Sequence, residues 1–64
     1  MTETTMLSAM LKQWALTFSR SGNNLRLEVW DARHDTTSLY TCDTSLGASA
    51  LIVRAYADFK AEYL

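Results

Sequence analysis

Leu25-Arg26-Leu27-Glu28-Val29-Trp30-Asp31 is the stretch that decides the fold, because its side chains alternate in character without a break. In an extended chain the three aliphatic residues would point to one side, and Arg26, Glu28 and Trp30 to the other. Alternation with a period of two is typical of a β-strand that buries one face. We therefore predict that residues 25–31 form the central strand of a small sheet, with the aliphatic residues on its core face.

Upstream of this strand, a helical pattern begins near residue 5. Thr4 and Thr5 are candidate N-caps, since a threonine side chain can accept a hydrogen bond from a free backbone N–H group. Apolar side chains then recur at the spacing of one helix face. They are Met6, Leu7, Met10, Leu11 and Trp14.

Two interpretations remain open for residues 13–20. A helix that continues at the same spacing would reach about residue 19, whereas a period of two places Trp14, Leu16 and Phe18 on one face of a strand. The segment 17–20 has low helix propensity, and Ser21-Gly22-Asn23-Asn24 is a typical turn. We therefore favour a helix over about 5–12 and a strand over about 14–20 that pairs with residues 25–31.

The second half of the chain predicts one more strand and one more helix. Residues 37–42 are rich in β-branched and aromatic side chains, with Leu39 and Thr41 on one face and Tyr40 and Cys42 on the other. The short polar connection before them requires antiparallel pairing. After the candidate caps at 43–45 and a possible delay at Gly47, a helix is expected over about 46–63. Its apolar stripe comprises Leu51, Ile52, Ala55, Tyr56, Phe59 and Tyr63.

These elements predict a single α+β domain of two layers, in the order helix, antiparallel β-meander of two or three strands, helix. The order α-β-β-β-α within about 65 residues resembles the layout of the double-stranded-RNA-binding domain. That family carries a cluster of lysines at the start of its last helix, where this chain reads Ala48-Ser49-Ala50-Leu51. The resemblance therefore concerns the topology, and the RNA-binding activity is not expected.

The length and the cysteine count restrict how this domain is stabilised. A chain of 64 residues buries a small core, and such chains often need a disulfide, a metal or a partner. Cys42 is the single cysteine and His34 the single histidine, so neither a disulfide nor the usual four-ligand zinc site can form within one chain. Tight packing or self-association remains.

Charge and hydropathy exclude other classes of protein. The net charge is −1, and the six basic residues are scattered, which disfavours nucleic-acid binding. Glu3 lies where a signal peptide would be basic, and no apolar run approaches the ~20 residues that span a bilayer. We therefore expect a cytoplasmic protein without membrane contact, of the kind common among small accessory proteins of bacteria or phages.

Few residues are candidates for chemistry. Asp31, His34 and Asp35 lie together on a turn, where we expect turn-capping carboxylates and a solvated imidazole. Cys42 lies in a strand and is expected to act as a small apolar filler. We predict no catalytic residues, no metal site and no cofactor.

Aromatic residues point to a different function. Trp30 is predicted on the sheet face opposite the core, beside Arg26 and with Tyr40 nearby on the neighbouring strand. Trp, Tyr and Arg are the residues that most often dominate protein interfaces. We expect a non-enzymatic interaction module that binds a protein partner or forms a homodimer. The alternative is a small nucleic-acid-associated regulator that uses the α-β-β-β-α surface.

Overall fold

In the computed structural model, which describes residues 1–64, two helices and a three-stranded antiparallel sheet form a small α+β domain. The helices are α1 (Glu3–Leu11) and α2 (Ala48–Tyr63), and a short 3₁₀ turn (Thr44–Leu46) precedes α2. The strands are β1 (Trp14–Ser21), β2 (Asn24–Asp31) and β3 (Thr36–Asp43). The predicted fold class is confirmed, and the segment left open by the sequence is a strand.

The sheet is a meander in which β2 lies between β1 and β3. Leu27 of β2 pairs with Phe18 on one side and Tyr40 on the other. The turn from β1 to β2 has two residues between the paired Ser21 and Asn24, and its first residue, Gly22, has φ 61°. A glycine with positive φ at this position is typical of a type II′ hairpin, whose twist matches that of the strands.

The core lies between one face of the sheet and the two helices. Leu27 and Val29 are buried as predicted, and Leu25 is half-buried at the edge of the same cluster. The stripe predicted for α2 packs onto them, and Met10 of α1 closes the core. The buried apolar residues are Met10, Trp14, Leu27, Val29, Tyr40, Leu51, Ile52, Ala55, Tyr56 and Phe59.

The ends of the helices differ from the sequence prediction in one detail. α1 begins two residues earlier than expected, so its N-cap is Thr2 rather than Thr4 or Thr5. The hydroxyl of Thr2 accepts a hydrogen bond from the backbone N–H of Thr5 at 3.2 Å. At the other helix, Asp43 caps the 3₁₀ turn, and Gly47 with φ 76° delays α2 as predicted.

Candidate functional site

The face of the sheet turned away from the helices, here called the outer face, is uncovered. It consists of the residues that alternate with the core residues along each strand, and every one of them is exposed. Its members are Ala15, Thr17, Ser19, Ser21, Asn24, Arg26, Glu28, Trp30, Thr37, Leu39, Thr41 and Asp43.

Two large apolar side chains occupy neighbouring strands of the outer face. Trp30 is 41% exposed and pairs with Thr37, and Leu39, 52% exposed, lies two residues further along β3. This makes Trp30 and Leu39 diagonal neighbours, a separation that aromatic side chains can reach across. Arg26 and Glu28 continue the same row on β2, so the predicted positions of Trp30 and Arg26 on this face are confirmed.

The predicted position of Tyr40 near Trp30 is wrong. Tyr40 pairs with Leu27 and is only 9% exposed, because the register of β2 and β3 places it on the core face. Its hydroxyl donates a hydrogen bond to Asp58 of α2, and the guanidinium of Arg54 lies 5.7 Å from its ring centroid. Burial and the neighbouring Asp58 carboxylate raise the pKa of Tyr40 to about 12. Leu39 takes its place on the outer face.

A second group of polar residues surrounds Asp31 at the end of β2. Asp31 is 4% exposed, and its Oδ2 accepts hydrogen bonds from Trp14 Nε1 at 3.0 Å and Tyr63 Oη at 2.8 Å. The Nδ1 atom of His34 lies 2.8 Å from the same oxygen, and 3.3 Å from Oε1 of Glu62. We call these five residues the Asp31 cluster.

Hydrogen bonds keep the carboxylate of Asp31 ionised. Burial by itself would raise the pKa of Asp31, but the hydrogen bonds from His34, Tyr63 and Trp14 outweigh it and hold that pKa well below its ordinary value. Burial and the adjacent Asp31 carboxylate raise the pKa of Tyr63. The cluster thus joins β1, the end of β2 and the last turn of α2 through one anion.

The sequence identified only part of this cluster. The Oδ1 atom of Asp31 accepts hydrogen bonds from the backbone N–H groups of Arg33 and His34, which is the turn-capping role expected for it. Asp35 has φ 53° and makes no bond to the cluster. Trp14 and Tyr63 were missed because they lie 17 and 32 residues from Asp31 in sequence.

The chemistry open to the cluster is limited by its own hydrogen bonds. Asp31, His34 and Glu62 each place one potential ligand atom within 4.8 Å of the others, a spacing that a divalent cation can use. Both oxygens of Asp31 already accept hydrogen bonds, and Nδ1 of His34 is turned towards the two carboxylates. We interpret the cluster as a structural link between the sheet and α2.

Two further features lie on the helix side of the sheet. An open groove of about 440 Å³ runs beside the cluster between β3 and α2, with Tyr40, Asp58 and Glu62 among its lining residues. The thiol of Cys42 is half-buried at the edge of the core and points to the carbonyl of Gly47, with 3.7 Å between sulfur and oxygen. This position agrees with the predicted role as an apolar filler.

Comparison with known proteins adds no relative: no protein-family model, curated protein or solved structure matches this chain. Neither helix has the length and apolar character needed to cross a lipid bilayer. The fold and the two sites define a small α+β domain with an uncovered sheet face and an internally satisfied polar cluster.

Proposed function

We propose that this chain is a non-enzymatic protein-interaction module and that the outer face is its contact surface. The observation that carries the proposal is the exposure of Trp30 and Leu39, as diagonal neighbours, on a sheet face that neither helix covers. Contiguous exposed apolar side chains on a folded domain mark sites where other molecules bind. Tryptophan is also among the residue types that contribute most per side chain to protein interfaces.

The surroundings of Trp30 favour a protein as the partner. The outer face carries Trp30 and Arg26, which are residue types enriched in protein interfaces, among polar side chains that include Glu28 and Asp43. Because the three strands are paired along their whole length, the face is rigid before binding, and little conformational entropy is lost on association.

The alternative function, nucleic-acid association, has less support from this face. Arg26 is the only basic side chain among the outer-face residues, and Glu28 and Asp43 are acidic. Affinity for nucleic acid depends mainly on the neutralisation of phosphates by basic side chains. A gel-shift titration with duplex RNA and DNA at low salt is expected to show no complex. A complex that dissociates as salt is raised would favour the alternative.

Site-specific photo-crosslinking in cells tests the proposal. A photo-reactive amino acid at position 39 is expected to give a discrete protein adduct, because Leu39 is the more exposed of the two large apolar side chains on the proposed surface. The adduct should disappear when Trp30→Ser is introduced into the same chain. Val53, an exposed apolar residue on α2, is the matched control position and should give no discrete adduct. Equal adducts from both positions, or an adduct that is insensitive to Trp30→Ser, would contradict the proposal.

A further inference from the structure

We infer that the partner bound by the outer face is a second copy of this chain, packed face to face about a two-fold axis over Leu27. The inference rests on the proposed function, because it assigns a partner to the same surface. It is carried by the charges of β2. Arg26 and Glu28 lie on the outer face on either side of Leu27, so the face presents one cation and one anion in the row of its central strand.

The two charges complement each other under two-fold symmetry. An axis that lies between the two sheets, perpendicular to β2 and above Leu27, places Arg26 opposite the partner subunit's Glu28. The same operation places Glu28 opposite the partner subunit's Arg26, so both ion pairs form together, as a symmetric interface requires. An axis parallel to β2 would instead place Arg26 opposite the partner subunit's Arg26, and Glu28 opposite the partner subunit's Glu28. Like charges facing each other disfavour that arrangement.

The same axis also lets the two faces overlap almost completely. β2 runs from Asn24 to Asp31, so Leu27 lies near its midpoint, and an axis there leaves little of any strand outside the contact. Each sheet then lies on the other with its strands antiparallel, which is compatible with the aligned packing of β-sandwiches. Trp30 of each copy covers the end of the partner's sheet that carries its Asn24. The uncovered apolar side chains are thereby removed from water.

The size of the face predicts a weak dimer. Three strands spaced by about 4.8 Å, with eight residues each rising about 3.4 Å, give a footprint of about 14 by 27 Å, or roughly 400 Å² per copy. Stable interfaces bury about 800 Å² per partner, and smaller ones belong to transient complexes. We therefore expect a dissociation constant in the upper micromolar range.

Charge reversal combined with sedimentation equilibrium tests the arrangement. Arg26→Glu alone and Glu28→Arg alone each create two like-charge contacts, so each variant should dimerise at least about tenfold more weakly than wild type. An equimolar mixture of the two variants should form a heterodimer, because every contact is again between opposite charges. The double variant R26E/E28R should regain the homodimer. Lys12→Glu makes the same change of charge as Arg26→Glu but lies outside the sheet. It is the control and should dimerise like wild type.

The outcomes separate this inference from the proposed function. A wild type that stays monomeric up to about 1 mM overturns the second copy as partner, while the crosslink at position 39 still tests the outer face. A dimer that is insensitive to both single reversals, or single variants that fail to recover on mixing, overturns the arrangement about Leu27. Dimerisation that is unaffected by Trp30→Ser contradicts the outer face itself as the contact surface.

Discussion

Two leucines on opposite faces of the sheet provide a quantitative test of the fold. Leu27 is fully buried between Phe18 and Tyr40, beneath the helices, whereas Leu39 is half-exposed on the outer face. In Leu27→Ala, three carbon groups lose their burial at about 0.8 kcal/mol each, and the cavity that remains raises the expected loss to about 3–4 kcal/mol. A domain of 64 residues has a total stability of about 3–10 kcal/mol, so this loss is roughly 30% of the total or more. Leu39→Ala should cost at most about 1 kcal/mol.

Urea unfolding followed by circular dichroism measures both losses. The protein concentration should be about 5 µM, because dimerisation would otherwise add to the apparent stability. We expect the free energies of unfolding of the two variants to differ by at least about 2 kcal/mol, with Leu27→Ala the less stable. Equal losses would refute the assignment of the core and outer faces, and with it the exposure on which the proposed function depends.

The polar contacts and the hairpin give three further predictions. The folded pKa of Asp31 is below its unfolded value of 3.8. The contribution of Asp31 to stability is therefore present above pH 3.8 and is lost as the pH falls below that value. Asp31→Asn should flatten the acid limb of an unfolding titration. The folded pKa of Tyr40 is about 12, whereas its unfolded value is 10.0. The contribution of Tyr40 to stability is therefore present below pH 10.0 and is lost between pH 10.0 and about 12. Tyr40→Phe should reduce this loss of stability in thermal melts over the same pH range. Gly22→Ala forces alanine to φ 61° and should lower the free energy of unfolding by about 1 kcal/mol in urea, whereas no loss would mean that the turn is not of the II′ type.

Local sequence patterns were sufficient to predict the layers of this fold. The alternation in 25–31 assigned Leu27 and Val29 to the core and Trp30 to the outer face, because one face of the strand is buried and the other contacts water. Gly22 marked the first turn because few other residues adopt a positive φ at low cost. The first and last residues of all five predicted elements lie within two residues of those in the structure.

The features that the sequence did not predict depend on contacts between distant residues. Residues 37–42 alternate in character too weakly to fix which face is buried, so the position of Tyr40 follows only from its pairing with Leu27 and its bond to Asp58. The bonds of Trp14 and Tyr63 to Asp31 form only after both sheet and helix are in place. Single-sequence periodicity reports on local structure and carries no information about such contacts.

The central claim, that two copies of this chain associate through the outer face, is tested most directly by an NMR dilution series that follows the two indole N–H signals. Trp30 lies on the outer face, while the indole of Trp14 is buried and bonded to Asp31 at 3.0 Å, so one protein contains both the probe and its control. Between about 10 µM and about 1 mM, we predict that the Trp30 signal shifts together with the backbone amides of Glu28 and Leu39, while the Trp14 signal stays fixed. Shifts confined to the helices, or a Trp30 signal that does not change over this range, would contradict the account.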